Sequence, residues 1–192
     1  MIGVSGLARS GKNTLAENLS EVISEDLGVK VKTFASAFEP KKHLDDFLKS
    51  HYGISAFTED QSDKKTIRDF VLLHAETMKK VYGKSIWLDL LFKKIHQESS
   101  KTFPIITDVR FDFEAEAIQK QNGVVIHISK IGNLAPNEIE KQNDPLVSKV
   151  SNLKHTWPNY RSSELKNCRD HAEILWQMAK QTHGKIWKKI YC

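Results

Sequence analysis

Hydrophobic and polar positions along the chain follow two different periods. Continuous apolar runs such as FPIITDV and VVIHIS are typical of strands buried on both faces, and VKVKTFA alternates apolar and polar residues. Elsewhere apolar residues recur three or four positions apart, which indicates amphipathic helices. The predicted strands cover residues 1–5, 29–35, 103–109 and 124–129. The predicted helices cover residues 12–26, 41–52, 67–83, 85–96, 113–123 and 163–181.

The order of these elements predicts the fold class. Strands that alternate with helices form a parallel sheet, so we expect a three-layer α/β fold with helices on both faces. Residues 58–65 are polar and predict an exposed loop. Residues 131–162 are polar and interrupted by Pro136, Pro145 and Pro158, which predicts an irregular segment. We expect a single domain over residues 1–192, with 131–162 as a candidate lid-like insert.

Composition restricts the class of protein further. A chain of 192 residues, 40% of them hydrophobic, can bury one well-packed core. The net charge of +5 suits nucleic acid and small polyanions equally. Cys168 and Cys192 form no C-x-x-C pair, which favours a reduced cytoplasmic setting. The start has no signal-peptide pattern, and no apolar stretch approaches the roughly 20 residues that span a bilayer, so we expect a soluble protein without membrane contact.

The segment GLARSGKNT, residues 6–14, resembles the phosphate-binding pattern G-x-x-x-x-G-K-[S/T]. Gly6, Gly11 and Lys12 are in register, but Asn13 stands where a hydroxyl is expected and Thr14 comes one position later. Glycines let backbone N–H groups curl around phosphate oxygens, and the lysine reaches the outer phosphates. The helix that follows adds its N-terminal partial charge. We therefore predict a phosphate loop, with a surface glycine turn as the alternative.

The position of Thr14 narrows the type of loop. Motor ATPases and GTPases carry their magnesium-binding hydroxyl directly after the lysine. Nucleoside monophosphate kinases often have G-K-x-T instead, which is the form of GKNT here. The chain also contains no Asn-Lys-x-Asp element, which GTPases use to read guanine. The loop therefore favours a kinase over a GTPase.

A second candidate site lies at the end of the predicted strand 103–109. In the run IITDVRFDFEAEAI, Asp108 and Arg110 fall at the carboxyl end of that strand, the edge where parallel sheets bind ligands. An aspartate there can hold Mg²⁺, and an arginine two residues on can clamp a phosphate. Alternation in an extended chain would direct both side chains to one side. A structural ion pair at the strand end is the alternative.

Three segments, SGLARSGKNTLAENL, WLDLLFKKI and IITDVRFDFEAEAIQKQNGVVIHISK, resemble the deoxynucleoside monophosphate kinases of bacteriophages. Members of that family have a loop S-G-x-x-R-S-G-K-[D/N]-T, a tryptophan-bearing helix, and a D-x-R strand followed by an acidic helix and an apolar strand. The similarity covers roughly the first 130 residues in the same order. It implies a P-loop NTPase or nucleotide-kinase fold, ATP and Mg²⁺ as cofactors, and a deoxynucleoside monophosphate as the phosphate acceptor.

The resemblance also implies roles for individual residues. It assigns ATP binding to Gly6, Ser10, Gly11, Lys12, Asn13 and Thr14. It assigns catalysis to Arg9, Lys12, Asp108 and Arg110, and Mg²⁺ binding to Thr14 and Asp108. It assigns the acceptor's phosphate to Lys41, Arg68 and Arg110, although the spacing of Lys41 differs from the family's by a residue or two.

The chain departs from the family after Arg68. Family members often carry a glutamine and a Gly-Thr-Asp turn there, whereas this chain reads VLLHAET. Val71, His74 and Glu76 would then form a changed base pocket, or else His74 and Glu76 are ordinary helix-surface residues.

In 131–162, basic residues suit a lid that closes over phosphates, and a surface excursion is the alternative. These basic residues are Lys141, Lys149, Lys154 and Arg161.

Two other functions stay open. The basic and aromatic run KIWKKIY, residues 185–191, would suit a DNA backbone, and the acceptor would then be a hydroxymethylated base in DNA. Asn13 and the missing Gly-Thr-Asp turn fit a nucleotide-binding accessory protein that does not transfer phosphate. The expected partners are small-molecule nucleotides, with weaker support for nucleic acid and a homodimer left open.

Overall fold

The computed structural model describes residues 1–99, 101–157 and 166–191. The strands are β1 (Ile2–Ser5), β2 (Lys30–Phe34), β3 (Thr102–Val109), β4 (Val124–Lys130) and β5 (Leu153–Trp157). The helices are α1 (Lys12–Leu27), α2 (Phe38–Tyr52), α3 (Gln61–Tyr82), α4 (Ile86–Gln97), α5 (Asp112–Lys120), α6 (Glu138–Val150) and α7 (Lys166–Tyr191). The chain divides into two compact units, Met1–Phe34 with Glu98–Cys192, and Ala35–Gln97.

The first unit contains a five-stranded sheet whose strands are all parallel. Their order is β2-β3-β1-β4-β5, so β1 lies at the centre. In the register, Gly3 of β1 lies opposite Ile106 of β3 and Val125 of β4. An α/β fold with a parallel sheet is therefore confirmed. The continuous apolar runs of β1, β3 and β4 reflect burial on both faces.

Helices cover both faces of this sheet. Alternate residues of a strand point to opposite faces. Ile2 and Val4 pack in one hydrophobic core with α1 and α7. Gly3 between them faces α5, and a Cβ at Gly3 would lie 2.9 Å from Ile118 Cδ1 of that helix. α6 packs against α5 on this second face, which gives three layers.

Two tryptophans of α7 fill the core on the first face. The rings of Trp176 and Trp187 are stacked with centroids 5.3 Å apart, and both meet the ring of Phe103 edge-on. Trp187 Nε1 donates to the Asn122 carbonyl at 2.9 Å. Because Trp187 is buried, α7 continues to Tyr191, ten residues beyond the predicted end at 181. The start predicted for this helix at 163 lies outside the described residues.

The second unit consists of α2, α3 and α4. Its apolar cluster joins Leu44 and Leu48 of α2 to Ala56 and Ile67. α3 begins at Gln61, because the Asp60 carboxylate accepts the backbone N–H groups of Ser62 and Asp63 and so caps the helix.

The predictions for α3 were partly wrong. The polar loop predicted over 58–65 ends at Asp60, since the N-cap starts the helix within that polar run. The apolar side chains of α3 differ in exposure: Ile67 is buried, but Phe70 is 40% exposed and Val81 is 66% exposed. A 22-residue helix whose neighbours are two shorter helices leaves much of its apolar surface uncovered.

The segment predicted to be irregular contains a helix and a strand. α6 spans Glu138–Val150 with Pro145 inside it, and β5 adds a parallel strand at the sheet edge. The prolines therefore did not mark loop throughout 131–157, and residues 158–162 lie outside the described part. The role of residues 131–162 as a lid stays a prediction, and so does the single kinase domain over residues 1–192.

No helix among the described residues is long and apolar enough to cross a membrane.

Candidate functional site

The predicted phosphate loop is a tight turn between β1 and α1. Gly6 has φ +136°, Gly11 has φ +91°, and Arg9 between them has φ +64°. The N–H of Ser10 donates to the Leu7 carbonyl at 3.1 Å, which closes a four-residue turn. Positive φ is uncommon for residues other than glycine, and left-handed residues turn successive N–H groups toward one point. The loop therefore has the curl that an anion-binding nest requires.

The two loop glycines meet close neighbours. A Cβ at Gly6 would lie 2.1 Å from the carbonyl oxygen of Ile128 in β4, and a Cβ at Gly11 would lie 3.3 Å from Trp157 Nε1 in β5. The Gly11 carbonyl accepts from the N–H of Leu15 at 3.0 Å, so α1 starts directly at the loop. The N-terminal partial positive charge of α1 consequently lies beside the nest.

Lys12 folds back over the loop that precedes it. Its Nζ donates to the carbonyl oxygens of Gly6 and Leu7, both at 2.7 Å. Burial, followed by the nearby Arg110 guanidinium, lowers the pKa of Lys12. The ammonium therefore lies in a partly desolvated site, where its attraction for an anion is stronger than in water.

Three carboxylates act on Lys12 in the opposite direction and raise its pKa, in decreasing order those of Glu140, Asp108 and Asp144. Asp108 is the next-to-last residue of β3 and is 8% exposed. Arg110 follows the end of β3, and its side chain is 56% exposed. The structure thus brings Lys12, Asp108 and Arg110 to one edge of the sheet, while their chemical roles stay predictions.

Glu114 fixes the turn that carries Arg110. Its Oε2 accepts the backbone N–H of Arg110 at 2.7 Å and that of Phe111 at 3.1 Å. The glutamate is buried at the start of α5, where a negative charge also complements the helix dipole. Glu114, in the first turn of α5, therefore stabilises the backbone that leads from β3 into this helix.

α6 places an acidic side chain directly on the phosphate loop. Glu140 Oε2 accepts the backbone N–H of Ala8 at 2.8 Å, and Glu140 Oε1 lies 3.8 Å from a terminal nitrogen of Arg110. The preceding turn contributes Asn133, whose Nδ2 donates to the Ala8 carbonyl at 2.9 Å. Both peptide groups of Ala8 are thus bound by the segment that leads into and begins α6.

A second polar chain joins α6 to the strand before the loop. Ser5 Oγ and His127 Nδ1 are 3.0 Å apart, and His127 Nε2 lies 3.7 Å from Asp144 Oδ2. Ser5 and His127 are buried. Burial lowers the pKa of His127 and raises that of Asp144, so both groups are shifted toward their neutral forms. The hydroxyl of Ser5 is fully enclosed, and this chain is therefore structural rather than nucleophilic.

The site lies at a switch point of the sheet. β1 is followed by a helix on one face and the adjacent β3 by a helix on the other, and crevices of this kind bind ligands in open parallel sheets. A cavity of about 30 Å³ lies between the loop, Arg110 and α6, which is room for about one water molecule. A more open groove of about 720 Å³ between α1 and α7 contains none of the predicted site residues.

The other predicted loop residues differ in exposure. Ser10 is 1% exposed, and its hydroxyl has no hydrogen-bond partner among the described residues. Asn13 is exposed and Thr14 is half-buried on the first turn of α1. The described residues contain no group of three or more His, Cys, Asp or Glu side chains that could hold a metal ion. Mg²⁺ commonly binds through one or two protein groups together with phosphates, and Thr14 and Asp108 offer that number.

Of the three predicted acceptor residues, Arg110 lies in the first unit, and Lys41 and Arg68 lie in the second. Arg68 is exposed on α3, and Lys41 Nζ of α2 lies 6.0 Å from the centroid of the Phe57 ring. Glu76 forms a surface ion pair with Lys79. This fits the interpretation of Glu76 as a helix-surface residue.

His74 has a different environment from Glu76. Its ring lies near the rings of His43 and Trp87, with centroids 5.9 and 5.7 Å away, and its Nε2 has no hydrogen-bond partner among the described residues. Burial, followed by His43, lowers the pKa of His74. His74 is therefore not an ordinary surface residue, while its part in a base pocket stays a prediction.

Trp187 does not offer a face for stacking on a nucleic-acid base. It is the central aromatic residue of the run 185–191 and is 1% exposed in the main core. The same run is the last part of α7, with Lys188 and Lys189 in its final turn. The mixture of aromatic and basic residues is thus explained by an amphipathic helix.

Sequence reasoning missed the acidic residues of α6. Glu140 and Asp144 are four positions apart, which places them on one face of a helix. The pattern Asn137-x-x-Glu140 is a helix start signal, and the Asn137 side chain does accept the N–H of Glu140 at 2.8 Å. This signal was available, but nothing in the local sequence indicates that α6 meets a loop about 130 residues earlier.

No protein-family model matches the chain, and no curated protein is significantly similar to it. The resemblance to the phage kinases rests on the three sequence segments alone.

Proposed function

We propose that the chain is an ATP-dependent phosphotransferase with a P-loop kinase fold, and that its acceptor is a deoxynucleoside monophosphate. The observation that supports this most directly is the partly buried Lys12 at the start of α1, in electrostatic contact with Asp108 and Arg110 at the switch point of the sheet. The positive-φ turn around Arg9 offers backbone N–H groups at the same place. Phosphoryl transfer depends on positioning and charge neutralisation, which is what these groups supply.

In this proposal the loop amides and Lys12 bind the donor phosphates. The residues of the loop fit a phosphate group, because Gly6 and Gly11 adopt conformations that a side chain would obstruct. Thr14, assisted by the neighbouring Asn13, and Asp108 would hold Mg²⁺. When bound, the ion neutralises charge on the phosphate oxygens.

The arginines and Lys41 complete the proposed assignment. Arg110, Arg68 and Lys41 are the residues that we propose for the phosphate of the acceptor, and Arg9 is the residue that we propose for the group in transfer. An oxygen of the acceptor phosphate attacks the terminal phosphorus of ATP, the bond to the β–γ bridging oxygen breaks, and ADP leaves. The products are ADP and a deoxynucleoside diphosphate.

The test is an assay with [γ-³²P]ATP and a panel of deoxynucleoside monophosphates, including hydroxymethylated ones. We expect labelled diphosphate with the wild type, and a loss of about 100-fold or more in Lys12→Met, because removal of one well-placed donor costs that much. Lys30→Met, which changes an exposed lysine of β2, should keep wild-type activity. Normal transfer by Lys12→Met would contradict the assignment.

The same assay separates the alternatives. Label in hydroxymethylated DNA instead of free nucleotide would support a DNA-base kinase. ATP binding without transfer to any acceptor would support an accessory protein. The buried Trp187 removes the aromatic part of the sequence argument for DNA, so we favour the free nucleotide.

A further inference from the structure

α6 occupies binding groups that the phosphate loop would need for an anion. The Ala8 N–H belongs to the nest, yet it donates to the Glu140 carboxylate at 2.8 Å. The same carboxylate lies 3.8 Å from the Arg110 guanidinium and acts on Lys12 as its strongest electrostatic partner of opposite charge. A carboxylate and a phosphate are both anions that accept hydrogen bonds from N–H groups. Glu140 therefore stands where a phosphate oxygen would bind.

Asp144 adds a second negative charge one turn along the same helix. It faces Lys12 and the imidazole of His127, and its side chain is 25% exposed. α6 thus presents two carboxylates to the two cations of the cleft, Lys12 and Arg110. A polyphosphate bound to these cations would be repelled by both carboxylates, because like charges in a partly desolvated cleft repel strongly.

The space between α6 and the loop leads to the same conclusion. The cavity that these elements line is partly open and has a volume of about 30 Å³, enough for about one water molecule, so a phosphate group does not fit inside it between α6 and the loop. Asn133 further binds α6's leading turn to the loop through the Ala8 carbonyl. Phosphate binding in the nest therefore requires Glu140 to leave the Ala8 N–H.

We propose that α6 is an autoinhibitory latch, in which Glu140 competes with the phosphates of the donor nucleotide for the Ala8 N–H, Lys12 and Arg110. This inference rests on the proposed function, since it assumes that the loop binds a nucleotide. Binding energy from the phosphates opens the latch, and the measured affinity is lower than the intrinsic affinity by the fraction of molecules in which α6 is already released.

The test compares Glu140→Gln with the wild type and with Glu138→Gln. Glutamine keeps the length of the side chain but removes the charge. Glu138 lies on the same helix with a 65% exposed side chain, so its substitution is a matched control for charge and helix position. Calorimetry measures the Kd for ATP and for inorganic tripolyphosphate, and thermal melting checks that each variant is folded.

We expect Glu140→Gln to bind both ligands about tenfold more tightly or better, because a hydrogen bond to a charged group is replaced by a weaker neutral one. Glu138→Gln should stay within about twofold of the wild type. Hydrogen exchange should show faster exchange at the Ala8 amide in Glu140→Gln without ligand, and faster exchange in α6 of the wild type when ATP is added.

Equal or weaker binding by Glu140→Gln would overturn the latch. If the wild type and this variant bind ATP equally and phosphate is still transferred, only the latch is wrong. If neither protein binds ATP or tripolyphosphate, both the latch and the proposed function are wrong.

Discussion

Substitution of Gly6 by alanine tests the close approach between the phosphate loop and β4. The new Cβ would lie 2.1 Å from the Ile128 carbonyl oxygen, whereas carbon–oxygen contacts are normally about 3.3 Å or longer. Something must therefore move by about 1.2 Å. β4 cannot shift easily, because it is paired on both sides, with β1 and with β5.

The expected loss of stability has two parts. A φ of +136° belongs to a region that is essentially restricted to glycine, and an alanine there costs about 1–3 kcal/mol. Overpacking against a fixed backbone costs about 1–3 kcal/mol more. We therefore expect Gly6→Ala to lower the free energy of unfolding by about 2–6 kcal/mol.

Gly28→Ala is the matched control. Gly28 also has positive φ, +66°, but nothing lies within 4 Å of its Cβ position. Only the backbone strain remains there, about 1–2 kcal/mol. Guanidinium unfolding followed by tryptophan fluorescence measures both variants, since Trp157, Trp176 and Trp187 lie in the same unit as the two glycines. If Gly6→Ala is no less stable than Gly28→Ala, the close approach is wrong.

Two further measurements concern the core and three histidines, of which His127 of β4 is buried and His74 of α3 and His155 of β5 are half-buried. Trp187→Ala should lower the free energy of unfolding by about 3–5 kcal/mol in urea, whereas Ile186→Ala beside it, 39% exposed, should cost much less; equal losses would contradict the burial of Trp187. Burial lowers the pKa of His74, His127 and His155, so the unfolded chain binds more protons below about pH 6.5 and stability should fall from pH 7 to pH 5. The raised pKa of Asp144 opposes this trend, but it is one group, whereas three histidines contribute to the loss of stability. A urea midpoint that does not change with pH would contradict the prediction.

The sheet could be predicted because the sequences of its central strands have a clear hydrophobic pattern. The apolar runs that form β1, β3 and β4 are short, continuous and separated by helical patterns, which is typical of a buried parallel sheet. The segment with β5 gave a weaker signal, because β5 is an edge strand with polar, half-exposed residues. Its neighbour α6 was hidden by Pro145, since a proline within a helix is uncommon.

The residues of the candidate site also differ in how far the sequence predicts them. Residues of the loop and of the D-x-R strand are recognisable locally, since each follows a predicted strand. Asn122 illustrates the limit of local reasoning. The helix predicted over 113–123 ends at Lys120, and Asn122 after it is left-handed. Gly123 follows, where a Cβ would lie 2.5 Å from Ile118 Cγ2. Glu140 needed the tertiary structure, because only the topology brings α6 to the loop.

Pro145 has a consequence for the cohesion of α6. It carries no N–H, so the carbonyl of Lys141 loses its partner within the helix, in an element of only 13 residues. Isolated helices of this length are marginal even without a proline. α6 is therefore stabilised by its contacts with α5 and the loop. Loss of the contact between Glu140 and the loop should unfold the first turns of α6 rather than move the whole helix as a rigid body. Its movement would then follow the cooperativity of a helix–coil transition.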